Sequence, residues 1–174
     1  MRLFFALQPT PEQNAALTAQ VAPFLPDGSQ PVRAANLHAT LCFIGAIEPE
    51  RLDVLRAAAA NVRGKLVTLT FDTLEYWDVP KILCATASQE SPSALALATA
   101  LAEAAVAAGF TPDIKPFRAH LTLARKVRRE LSVAMPQRLL PPTRIQCDRF
   151  VLMESRREAA GSIYSVIESW TLYG

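Results

Sequence analysis

The chain holds two histidines, and each has a threonine two places on: His38-Ala39-Thr40-Leu41 and His120-Leu121-Thr122-Leu123, 82 residues apart. Threonine makes up roughly one residue in twenty of an average protein, so coincidence explains both pairs poorly. Imidazole titrates near neutrality, so of two such groups one can take a proton while the other gives one. In-line transfer at phosphorus asks for such a pair on opposite sides of the phosphate. One deprotonates the attacking oxygen and the other protonates the departing one. The hydroxyls of Thr40 and Thr122 can donate to the non-bridging oxygens, where negative charge has to be held. Arg125 and Lys126 follow the second motif and can add charge-assisted contacts.

The local pattern says how these groups are carried. Leu37–Ile44 and Ala119–Ala124 are apolar, alternating runs that predict half-buried strands. Side chains at i and i+2 of a strand share a face, so His38 should stand beside Thr40 and His120 beside Thr122. Leu37, Ala39, Leu41, Leu121 and Leu123 then point the other way. Arg125 is an odd number of places from Thr122, so strict alternation turns it away unless the strand ends or bulges there. Tyr76 and Trp77, beside a turn, either stack a base or simply pack. Histidine also ligates metals, but there is no third histidine, the cysteines are scattered and no acidic residue sits at ligand spacing. Neither a metal nor another cofactor is expected.

Around the motifs the elements read as follows. A strand over 2–8 precedes a helix with Thr10 as N-cap, Pro11 at its first position and Gln13 completing a capping box. Leu17, Val21 and Phe24 give that helix its apolar stripe. Glu48-Pro49 opens a second helix with Leu52, Leu55, Ala59 and Val62 on one face, ended by Gly64. Strands are predicted at about 66–74 and 81–87, then an Ala-rich helix from Ser91-Pro92 to Gly109. After the second motif strand come a short helix near 129–135 and strands at about 144–154 and 162–172. The layout of the first half thus recurs in the second. It predicts an α+β fold, one bilobal domain over residues 1–174, with two antiparallel-sheet lobes around a cleft, one motif in each and helices outside.

Bulk properties narrow the class. At 174 residues the chain suits one well-buried domain, and a composition half hydrophobic and one-fifth charged is globular. No apolar run approaches a membrane span, and the apolar start Leu3–Leu7 is too short for a secretory leader. Cys42, Cys84 and Cys147 are odd in number and far apart, which predicts free buried thiols in a reducing cytoplasm. A monomer is expected. Charge is uneven: residues 1–110 hold seven Lys/Arg against ten Asp/Glu, while 111–157 hold eleven against four. A basic region around the second motif suits a phosphate-bearing partner.

Two His-x-Thr motifs about eighty residues apart resemble those of the two-histidine (2H) phosphoesterase superfamily. The nearer likeness is to its RNA 2′,3′-cyclic phosphodiesterases, also called 2′-5′ RNA ligases. It rests on Arg2–Leu7 as an opening strand, Asn36–Gly45 and Phe117–Arg125 as signature strands, and Leu152-Met153-Glu154-Ser155, Gly161 and Tyr164 as a closing segment. The resemblance implies metal-free opening of a terminal 2′,3′-cyclic phosphate to a 2′-phosphate. It implies His38 as proton donor to the departing 3′ oxygen, His120 as the acceptor that activates water, and Thr40, Thr122 and Arg125 as phosphate contacts. Run backwards, the same chemistry joins a cyclic phosphate to a 5′-hydroxyl. Partners would be RNA with 2′,3′-cyclic phosphate ends or small cyclic-phosphate nucleotides. The alternative, an RNA-end-binding module without turnover, needs Lys and Arg but not two titratable imidazoles in matched surroundings.

Overall fold

The first strand, β1 (Arg2–Leu7), buries its five successive apolar positions, the pattern of a strand covered on both faces. In the computed structural model, which describes residues 1–113, 115–127, 134–158 and 161–174, β1 lies inside a four-stranded sheet. The remaining elements follow as α1 (Pro11–Val21), β2 (Gln30–Pro31), β3 (Ala39–Ala46), α2 (Leu52–Ala60), β4 (Val67–Trp77) and β5 (Ile82–Thr86). Then come α3 (Pro92–Ala107), β6 (His120–Arg125), β7 (Gln137–Cys147), β8 (Arg149–Glu158) and β9 (Gly161–Thr171). One sheet has the order β3-β1-β8-β9 and the other β2-β6-β5-β4-β7, with antiparallel neighbours throughout.

The capping box forms as read. The Thr10 side chain accepts from the Gln13 backbone N–H, and the Gln13 side chain accepts from the Thr10 N–H. Thr10→Ala should lower stability by about 1 kcal/mol, measurable by urea unfolding. Along α3 the buried residues Ala94, Leu97, Ala98, Leu101 and Ala105 form one stripe, which packs on β3 of one sheet and β4 of the other. That helix therefore ties the sheets together.

Alternation along β1 splits its side chains between two cores. Leu3, Phe5 and Leu7 join the large cluster that includes Phe71, Leu97 and Phe150. Phe4 and Ala6 face the opposite way and form a small cluster with Val151 and Met153, against which Tyr164 packs. This second cluster floors one side of the cleft.

Three features depart from expectation. The stretch read as one strand over 144–154 is two, because the chain turns at Asp148 between β7 and β8. The sheets are not the two halves of the sequence: β8 and β9 return to complete the sheet that β1 and β3 begin. The two-residue β2, where the sequence predicts no strand, pairs with the edge of β6. The helix expected near 129–135 falls largely on residues 128–133, outside the described residues, and 134–135 are not helical. Among the described residues no helix is long and apolar enough to cross a membrane.

Candidate active site

Both motif strands adopt the alternation the sequence predicts. From histidine to the fifth residue beyond, the two motifs show one burial pattern: His and Thr half-buried, the residues between and just after them buried, and the last exposed. His38 immediately precedes β3 and His120 opens β6, so each sheet carries one motif.

A second repetition is invisible in the sequence. Phe5 pairs with Cys42 and Ala6 with Thr40, so Leu41 is an extra residue in β3. Leu83 pairs with Ala124 and Cys84 with Thr122, so Leu123 is the extra residue in β6. Each motif therefore carries a bulge at its fourth position. One inserted residue reverses the parity of everything after it. Arg125, which strict alternation would turn away, is brought back to the side of His120 and Thr122. Phe43 occupies the matching position on the other strand, 5.7 Å from the ring of Phe4 between centroids.

The two imidazoles are held alike. Nδ1 of His38 lies 2.7 Å from the carbonyl oxygen of Asn36, and Nδ1 of His120 lies 2.9 Å from that of Arg118. A carbonyl only accepts, so each Nδ1 carries its hydrogen and each Nε2 is left to exchange protons with a ligand. The His38 ring is wedged between Phe4 and Tyr164, with centroid distances of 4.8 and 4.9 Å. The His120 ring lies 4.8 Å from Trp77.

These surroundings set the electrostatics. Burial, reinforced by repulsion from Arg125 and His120, outweighs the bond to Asn36 and pushes His38 down to about 4. Burial also lowers His120, with Arg118 and Arg125 adding to it against the hydrogen bond to the Arg118 carbonyl. Arg125 thus acts on both rings. Its Nη2 donates to the Tyr164 hydroxyl at 3.3 Å, which links the two sheets across the cleft. Thr122 pairs with Cys84 across the strands, and a hydrogen bond between their side chains opposes the rise that burial imposes on the thiol, to about 12. Cys42, Cys84 and Cys147 are all free and buried.

The aromatic candidates separate. The Tyr76 hydroxyl donates to Asp78 and to the Val127 carbonyl. Trp77 is engaged in the site wall: its Nε1 donates to Glu75 at 2.8 Å, and the Arg118 guanidinium lies 5.4 Å over its ring. Arg118 in turn pairs with Glu75 at 2.6 Å. Phe4, Glu75 and Tyr164 were not singled out as site residues, although Tyr164 belongs to the closing segment that carries the family likeness. Their roles depend on which strands become neighbours, and no local pattern gives that. Among the described residues no group of three His, Cys, Asp or Glu is placed to hold a metal ion.

This arrangement can bind an anion between two imidazoles of one tautomer and one guanidinium. Comparison with known proteins identifies the family. The LigT-like phosphoesterase family model matches residues 6–83 and 86–164, one motif in each span. The RNA 2′,3′-cyclic phosphodiesterase of Escherichia coli strain K12 is 29% identical over 136 residues, covering 78% of this chain and 77% of that protein. A crystal structure of a phosphoesterase superposes with a TM-score of 0.89 at 26% identity, covering 100% of this chain and 99% of the other. The E. coli LigT structure complexed with 3′-AMP gives 0.87 at 26% identity, covering 99% and 98%. With motif, sheet order and match extending over nearly its whole length, the chain belongs to the LigT-like phosphoesterases.

Proposed function

We propose that this cleft opens 2′,3′-cyclic phosphates at RNA ends, or on small nucleotides, to 2′-phosphomonoesters without a metal. The observation that carries the reading is the matched pinning of His38 and His120 through Nδ1, one on each sheet. Two equal nitrogens on opposite walls suit a reaction that takes a proton on one side of phosphorus and returns it on the other. In this reading His120 removes the proton of water and His38 protonates the departing 3′ oxygen. Thr40, Thr122 and Arg125 hold the non-bridging oxygens. The E. coli relative's name and the 3′-AMP complex of E. coli LigT support this substrate class. In reverse, the same steps join the cyclic phosphate to a 5′-hydroxyl.

The test is turnover of a dinucleotide ending in a 2′,3′-cyclic phosphate, in EDTA, with the product read by phosphorus NMR. A 2′-phosphate is expected. Activity lost on chelation and restored by a divalent ion would overturn the metal-free step. Tight binding without turnover would leave a binding module, and a 3′-phosphate product would move His38 to the other oxygen.

The low value of His38 has a consequence for binding. At pH 7 the free protein holds this ring neutral, whereas its proposed role is to give a proton. An anion seated against the ring favours the imidazolium and raises its pKa. A group whose value is raised on binding strengthens binding as pH falls through the bound value, and the gain levels off only near the free value of about 4. Sulfate does not titrate in this range and serves as the probe. Its affinity should rise steadily from pH 8 to pH 5, with proton uptake seen by calorimetry in buffers of different ionisation heat. A flat affinity without uptake would show that neither ring meets the anion.

A further inference from the structure

Beside the catalytic cleft a pocket of about 430 Å³ opens between β2, the turn after it, the end of β6 and the start of β9. Arg33, Arg125, Gln30, Asn36, Ser162 and Tyr164, with Ser29, contribute its polar lining, and among the described residues no carboxylate lines it. The wall is built, not incidental. Gln30 and Pro31 pair with Arg125 and Ala124, and the Val32 N–H donates to the Leu123 carbonyl at 2.8 Å. That pairing places Arg33 on the edge of the motif strand. Asn36 joins pocket and cleft: its side chain donates to the Ser162 carbonyl at 3.5 Å, and its own carbonyl holds His38.

Several arginines elsewhere on the protein are already compensated. Arg56, Arg118, Arg138, Arg149 and Arg156 each pair with a carboxylate. Arg51 is spent on the carbonyls of Ala108 and Gly109. Among the described residues the Arg125 guanidinium bonds only the Tyr164 hydroxyl, and the Arg33 side chain has no hydrogen bond or ion pair. Two uncompensated guanidiniums lining one pocket repel each other unless an anion lies between them. Exposed Lys81 and Lys126 continue the positive end, joined by the Val127 N–H donating to the Lys81 carbonyl at 3.1 Å. A further pocket on the His120 side, of about 480 Å³, is lined by Glu75, Glu90 and Arg118 among others, and Arg118 pairs with Glu75. The Arg33 pocket is cationic and this one is not.

We propose that the Arg33 pocket is a second anion site, which receives the phosphate attached to the 5′ oxygen of the terminal nucleotide. This rests on the reading of the cleft as a cyclic-phosphate site. Arg125 belongs to both sites, so the reacting phosphate and its neighbour share one guanidinium, while Arg33 meets only the second. The pocket thereby sets strand direction, since the rest of the RNA leaves through the cationic mouth. It also makes a nucleotide with a 5′-phosphate a better substrate than one ending in a 5′-hydroxyl.

The experiment compares adenosine 2′,3′-cyclic phosphate with and without a 5′-phosphate. In the natural protein kcat/KM should favour the phosphorylated substrate by about tenfold, the scale of one charge-assisted contact. Arg33→Gln should lower that ratio at least about threefold, the shared Arg125 keeping the remainder, and raised salt should shrink it in the natural protein. A binding arm uses adenosine 3′,5′-bisphosphate and adenosine 3′-monophosphate in calorimetry. Arg33→Gln should weaken the bisphosphate by about tenfold and the monophosphate much less, which also shows that the variant is folded. A ratio unchanged by Arg33→Gln, or equal weakening of both ligands, overturns the proposal. If neither cyclic substrate turns over, the catalytic reading fails, and the binding arm alone decides the second site.

Discussion

Replacing either His38 or His120 by alanine should lower kcat for cyclic-phosphate opening by at least about a hundredfold, the usual scale for a positioned acid or base. Each ring does a separate job, so neither replaces the other. The double variant should nevertheless be little worse than the poorer single one, because groups that act as a unit do not contribute additively. The natural protein should show a bell-shaped dependence of rate on pH, and each single variant should lose one limb. Burial depresses both rings, so the bell for kcat/KM, which reports the free protein, should be centred on the acid side of 6.5, the unperturbed histidine value. Thr40→Ala or Thr122→Ala should cost less, since Arg125 and both histidines remain. Near-normal turnover in both histidine variants, with Thr122→Ala inactive, would show that the imidazoles are structural and a hydroxyl does the chemistry.

Arg125→Gln should lower kcat by a factor on the order of a hundred to a thousand, as loss of a preorganised group facing developing charge does. The same change should raise the pKa of both histidines, because the guanidinium depresses each of them. Two readouts therefore come from one substitution. Turnover reports the contact with the phosphate, and histidine titration by NMR reports the field in the empty cleft. Tyr164→Phe removes only the hydroxyl that accepts from Arg125 and should reproduce a small part of the kinetic effect while leaving the titrations nearly in place. A loss under about threefold for Arg125→Gln, well below that scale, with unmoved titrations would place Arg125 outside the chemistry.

What could be read from the sequence was whatever depends on near neighbours along the chain. The capping box needs only Thr10, Pro11 and Gln13, and it forms. The pairing of His38 with Thr40 and of His120 with Thr122 needs only the two-residue period of a strand, and the burial pattern follows it. Arg125 marks the limit. Its direction depends on a bulge at Leu123, and a bulge is a property of two strands in register, here β6 against β5. The same holds for Phe4 and Tyr164, which meet His38 because β1 and β9 belong to one sheet. Trp77 was visible as an aromatic beside a turn, but its contact with His120 depends on where the sheet places β6. The turn at Asp148 was missed because the apolar pattern continues on both sides of it.

The return of β8 and β9 to the first sheet bears on how the molecule comes into being. Phe4 pairs with Met153, nearly the full length of the chain away, and contacts of such long range slow folding because a large loop must close first. A chain emerging from a ribosome has both histidines exposed to solvent long before Val151, Met153 and Tyr164 arrive to floor one of them. Until then Arg125 has no tyrosine across the cleft to bond, and His38 lacks one of the two rings that wedge it. Docking of this hairpin onto β1 is therefore the step that completes the aromatic wall around His38. No single cut of the chain yields two working lobes, so fragments split near residue 115 should recover activity only when both are present and refold together.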